Sequence, residues 1–190
     1  MDPKESFNLA VHLFETVFAP KLRQWGISVT PMDDYGGRKE WTIESHKGAT
    51  IILITPHVSG IGIYREGPGG RIMRTWEYSK EKAVKAIRRK LIKVTAGAIV
   101  SICRSTAPPE FTRLYIDYRF TEEKIDWWLR DTRTTLPSEI ALTFVIEPTR
   151  LRWKWIVEIE RRNKFTVQGD DNPIEAHHRI LKTGISLATL

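Results

Sequence analysis

Residues 79–93 read Ser79-Lys80-Glu81-Lys82-Ala83-Val84-Lys85-Ala86-Ile87-Arg88-Arg89-Lys90-Leu91-Ile92-Lys93. At 100° per residue, Val84, Ile87 and Leu91 share one side of a helix, and Lys82, Lys85, Arg89 and Lys93 share the opposite side. Ser79 is placed to cap it, Glu81 falls in the first turn and cations crowd the last, the order that the helix dipole favours. Such a helix gives one side to a core and turns a row of positive charge outward.

The period changes on both sides of this helix. Upstream, Trp41-Thr42-Ile43-Glu44, Thr50-Ile51-Ile52-Leu53-Ile54, Gly60-Ile61-Gly62-Ile63-Tyr64 and Ile72-Met73-Arg74-Thr75-Trp76 are strand-like and separated by short connections, which predicts a four-stranded antiparallel meander. Ahead of them, Gly26 and then Pro31-Met32-Asp33-Asp34-Tyr35-Gly36-Gly37 read as turns. Phe7, Val11, Phe14, Val17 and Phe18 recur at helical spacing from Ser6, which is placed to cap them, so an N-terminal helix is expected, ended or restarted by Pro20.

Downstream, Val94-Thr95-Ala96-Gly97 reads as a weak linker where the chain would subdivide, and Ala98-Ile99-Val100-Ser101-Ile102-Cys103 as a strand. Residues 111–120 read as another strand and 121–129 as a short helix capped by Thr121. Strands at 140–146 and 151–159 flank the turn Glu147-Pro148-Thr149-Arg150. A last helix starts at Asp170-Asp171-Asn172-Pro173 and runs through Leu181, with Gly184 as its cap. The expected fold is α+β: one or more antiparallel sheets with an N-terminal, a basic central and a C-terminal helix around one core, in a single domain spanning 1–190.

The 190 residues carry 41% apolar side chains, enough for one ordinary core. The lone Cys103 excludes a disulfide framework and any Cys-x-x-Cys redox or zinc site, and suits a reducing compartment. No run of 18 apolar residues and no signal-peptide pattern is visible, so the expectation is an intracellular protein, cytoplasmic or nuclear, neither secreted nor membrane-spanning.

Charge is the informative property. The chain has 30 Lys and Arg against 23 Asp and Glu, a net +7. Residues 71–93 hold nine cations against two acids and 150–164 hold six against two, while the three remaining segments are each mildly acidic. A local concentration of charge implies a local anionic partner. Phosphates repeat along a nucleic-acid backbone, and a helix face bearing Lys82, Lys85, Arg89 and Lys93 can track them, with Lys80 and Arg88 as further candidate contacts from the same segment. Arg150, Arg152 and Lys154 fall on the polar side of the 151–159 strand and supply a second basic face. Each also fits an ordinary solvated surface, and an edge strand protected by cations.

Other motifs weigh less. Arg113-Leu114-Tyr115-Ile116-Asp117-Tyr118-Arg119-Phe120 mixes arginines with aromatics, as sheets that stack single-stranded bases do, and lacks the glycines of an RNA-recognition motif. Gly67-Pro68-Gly69-Gly70-Arg71 lacks the Gly-Lys-Ser/Thr ending of a phosphate-binding loop. The adjacent His177 and His178 diverge by about 100° on a helix and make a poor metal pair. Capping accounts for Asp170 and Asp171. His12, His46 and His57 are scattered, and Cys103 sits in an apolar run; no residue carries a catalytic signature, and no cofactor or metal is implied.

In element order, 5–93 resembles a double-stranded-RNA-binding domain: a helix, antiparallel strands, then a helix opened by Ser79-Lys80-Glu81-Lys82-Ala83-Val84-Lys85-Ala86. The resemblance implies phosphate contacts for Lys80, Lys82 and Lys85, although their spacing and the length of the strand region depart from that family. The expectation is a non-catalytic nucleic-acid-binding protein, RNA or single strands favoured. The competing expectation is a viral matrix- or capsid-like assembly protein, a homo-oligomer whose basic face meets an anionic membrane or a nucleocapsid.

Overall fold

The computed structural model describes residues 2–34, 36–57, 60–66, 73–75, 80–106, 111–119, 122–129 and 138–188. The chain opens with α1 (Pro3–Leu13), a π-helical turn (Phe14–Phe18) and α2 (Ala19–Gln24). Asp2, not Ser6, caps α1 through a reciprocal capping box with Glu5, which starts the helix four residues earlier, and Pro20 sits in the first turn of α2, restarting the helix.

A first sheet follows in the order β1 (Ser28–Pro31), β2 (Lys39–Ser45), β3 (Gly48–His57), β4 (Gly60–Glu66), β5 (Met73–Thr75), every pair antiparallel. The meander therefore has five strands, not four. Ser28–Pro31 is too short to show a period of its own and is held by pairing with Trp41–Glu44 of β2. The five strands also exceed the strand region of the double-stranded-RNA-binding topology.

Next comes α3 (Lys80–Ser105), 26 residues or about 39 Å of helix. It overturns two expectations: 94–97 is not a linker and 98–103 is not a strand. Ala96, Ala98, Ile99, Val100, Ile102 and Cys103 are all fully buried, and a helix buried on every side shows no polar stripe to betray its 3.6-residue period.

The second sheet runs in the order β10 (Asn163–Gly169), β9 (Trp153–Ile159), β8 (Ser138–Ile146), β7 (Glu122–Leu129), β6 (Phe111–Arg119), again antiparallel throughout. The expected helix at 121–129 is strand β7, because pairing on both sides, with β6 and with β8, overrides local helical preference. The chain closes with α4 (Pro173–Ala188). Gly184 does not cap it; it lies inside the helix, where a Cβ would come within 2.6 Å of Ile140 Cδ1, so the missing side chain permits close packing on β8. The fold is α+β, with two five-stranded meanders, each followed by a helix. One apolar cluster takes residues from both sheets, and α3 touches α1, α4 and both sheets.

Candidate nucleic-acid interface

The exposed side of α3 is the one its periodicity indicates. Ile87 and Leu91 are fully buried and Val84 half-buried, while Lys82, Lys85 and Arg89 are exposed and Lys93 half-buried. The side chain of Lys80 lies outside the described residues, as do the Ser79 and Thr121 caps and the 67–72 loop. Strand β6 forms where the aromatic-arginine motif predicts one, but its side chains are likewise outside the described set.

The second basic segment differs from expectation in its backbone. β9 starts at Trp153, so Arg150 and Arg152 belong to the connection from β8 and only Lys154 lies in the strand. That connection is closed by two backbone bonds, Leu151 N to Glu147 O at 2.9 Å and Glu147 N to Arg152 O at 2.8 Å. Leu151 takes a left-handed φ of 49° and buries its side chain, leaving Arg150 and Arg152 exposed on either side.

The two segments meet. The Arg88 guanidinium donates to the Pro148 carbonyl at 3.1 Å, joining α3 to this connection across 60 residues of sequence. Beside the junction is a cleft of about 520 Å³ lined by Arg152, Lys154 and Gln168 and equally by Glu147 and Asp170. In the sheet, Val145, Lys154 and Gln168 stand side by side, so the cleft opens on one continuous face of β8, β9 and β10. Trp153, also at the cleft, is buried and donates its indole N–H to the Asp171 carbonyl at 2.9 Å.

Most of the remaining chemistry-bearing groups are capped, paired or buried. Asn172, not the aspartates, caps α4: its Oδ1 accepts from Ile174 N at 2.9 Å, while Asp171 pairs with Arg179 at 2.8 Å. His177 is fully buried with its ring 5.1 Å from that of Trp155, and burial, then the neighbouring His178, pulls its pKa down to about 3. His178 is also held low, chiefly by burial, and contacts the Thr106 hydroxyl at 3.1 Å. Of the scattered histidines, His46 is 2.8 Å from Glu175 of α4. Cys103 is buried, which raises its thiol pKa well above normal and keeps it protonated. Among the described residues no three His, Cys, Asp or Glu side chains stand where they could hold a metal ion.

One feature escaped the sequence reading. Arg65 of β4 is only 5% exposed and lies against Gly97 of α3, where a Cβ would sit 2.6 Å from its Nε. The signal was present, since Ile61, Ile63 and Arg65 alternate onto one face of β4. No described helix is long and apolar enough to cross a membrane. Comparison with protein-family models, curated proteins and solved structures gives no match.

Proposed function

We propose that the protein is a non-catalytic nucleic-acid-binding protein of the cell interior, cytoplasmic or nuclear, that takes RNA or single strands by their backbone phosphates. The bond between Arg88 and Pro148 supports this reading, because it ties the basic helix α3 to the connection that bears Arg150 and Arg152. Scattered surface cations aid solvation; cations from two elements, joined next to a cleft, make a track along which successive phosphates can lie. Exposed Arg and Lys contacts to phosphate position a strand without reading its sequence, so binding is expected to tolerate sequence changes.

The test is fluorescence anisotropy with a labelled single-stranded RNA over a range of salt concentrations. Log affinity falls linearly with log salt, and changing Lys82, Lys85, Arg89 and Lys93 together to Ala makes that line shallower, by about 0.7 in slope for each phosphate that the helix no longer neutralises. An unchanged slope removes the helix from the interface. Binding to vesicles of anionic lipid, with none to RNA, would overturn the assignment in favour of a membrane-facing assembly protein.

A further inference from the structure

β10 is an outer strand. It pairs with β9 on one side, and no described strand lies on its other side. Of the first sheet's two outer strands, β1 is four residues long and contains Pro31, and β5 is three residues long, features that discourage further pairing. β10 has seven residues and no proline, so its outer backbone N–H and C=O groups form a template for another strand. Its apolar side chains point the same way. Phe165 and Val167 share the α4 face of the strand and line a groove of about 240 Å³ together with Ile159, Ile140 and Ile180, yet Phe165 remains 46% exposed.

The sequence around β10 shows what fits this edge. Arg161-Arg162-Asn163-Lys164-Phe165-Thr166-Val167-Gln168-Gly169-Asp170-Asp171 is basic at its start and acidic at its end, with Thr166 at the centre. We propose that β10 is the seam of a symmetric dimer, pairing antiparallel with β10 of a second copy about a two-fold axis at Thr166. In this register Phe165 faces Val167 of the other copy and Lys164 faces Gln168, so no like charges meet in the strand. At each end the exposed Arg162 lies along the exposed Asp170 of the other copy. Moving the axis to Phe165 would set Asp170 against Glu160, and moving it to Val167 would set Phe165 against Gly169, so charge and shape select the same pairing. The contact is isologous and closes at two copies.

The axis stands perpendicular to the sheet, as antiparallel pairing of identical strands requires, so the faces bearing Lys154 and Gln168 fall on the same side of a ten-stranded sheet. The dimer itself does not depend on nucleic-acid binding and is tested without it.

The direct experiment places a cysteine on the axis. Paired Cα atoms in antiparallel strands are about 4.5–5.5 Å apart, within the span of about 4.4–6.8 Å that a disulfide bridges. Thr166→Cys is expected to become a covalent dimer under mild oxidation and Lys164→Cys to stay unlinked, while buried Cys103 takes no part. Sedimentation equilibrium is expected to give twice the chain mass for the unaltered protein and a monomer for Phe165→Glu, a change at an exposed position that leaves the core intact. Arg162→Asp weakens the dimer, and adding Asp170→Arg restores it. A monomeric unaltered protein, equal linking of both cysteine variants, or no restoration in the double charge reversal each overturns the proposal.

Discussion

The two halves of α3 obey different rules within one helix. Over 82–93, exposed cations alternate with buried Ala83, Ile87 and Leu91, and the helical period is plain. Over 94–103, every position except Ser101 is buried, Gly97 accommodates the Arg65 side chain, and the period vanishes. The first half is an amphipathic surface helix and the second a core strut between two sheets. Tolerance to substitution and contribution to binding are therefore expected to separate along the helix.

The largest effect is expected in the strut. Ile99→Asp puts an unpaired carboxylate where no water reaches and should cost more than about 4 kcal/mol in urea unfolding, enough to abolish the folded state. Lys85→Asp, about four turns earlier on the exposed side, should leave the midpoint almost unchanged. Comparable losses in the two variants would break the distinction between the halves.

Acid should reveal the neighbouring buried site on α4. The folded pKa of His177 is about 3, against about 6.5 for a free imidazole, so between these values the unfolded chain binds the proton and the folded chain does not. Stability from this group is complete above pH 6.5 and is lost as pH falls from 6.5 towards 3. Its slope is at most about 1.4 kcal/mol per pH unit. Half-buried His178, also lowered, contributes in the same direction beside Lys47, Glu175 and His46. Urea midpoints across this window should fall with acid, and His177→Gln should show a shallower fall; identical pH profiles would remove His177 as the cause.

Gly97→Leu comes next, at about 2–3 kcal/mol, because the added side chain must displace the buried Arg65 from the strut. Calorimetry of this variant beside Ala86→Leu, at a half-buried position in the surface half, measures how far the close approach at Gly97 sets the two halves apart. The smallest effect belongs to Arg88→Ala, about 0.5–1 kcal/mol for one exposed bond to Pro148. Its use is to ask whether that bond holds the 147–152 connection against the surface half: amide exchange at Glu147 and Leu151 should quicken while Ile99 stays protected.

The same contrast explains what the sequence revealed. The row Lys82, Lys85, Arg89 and Lys93 was legible because a half-exposed helix writes its period in alternating polarity, and the β8–β9 pair was legible because Trp153, Trp155 and Val157 alternate inward. The strut was misread because Ala98-Ile99-Val100 is equally a buried strand or a buried helix until its neighbours are known. Strand β7 was misread because its pairing partners β6 and β8, not its own residues, decide its state. In the candidate site, the identities of Arg88, Arg150, Arg152 and Lys154 were legible, and their meeting was not: the bond from Arg88 to Pro148 spans 60 residues and leaves no local pattern. Asn172 took the capping role from Asp170 and Asp171 for a related reason, since all three are good caps and only the backbone position of Pro173 selects among them.

The central claim is that α3 and the 147–154 segment form one surface for a nucleic-acid backbone. Its most direct test compares salt slopes of RNA binding, at one RNA per protein, for four proteins: unaltered, Lys82/Lys85/Arg89/Lys93 to Ala, Arg150/Arg152 to Ala, and all six changed. The account predicts a shallower slope for each set and the shallowest for all six, with the stoichiometry unchanged. A six-fold variant with the slope of the helix variant would show that the strand never reaches the second segment, and would contradict the single surface.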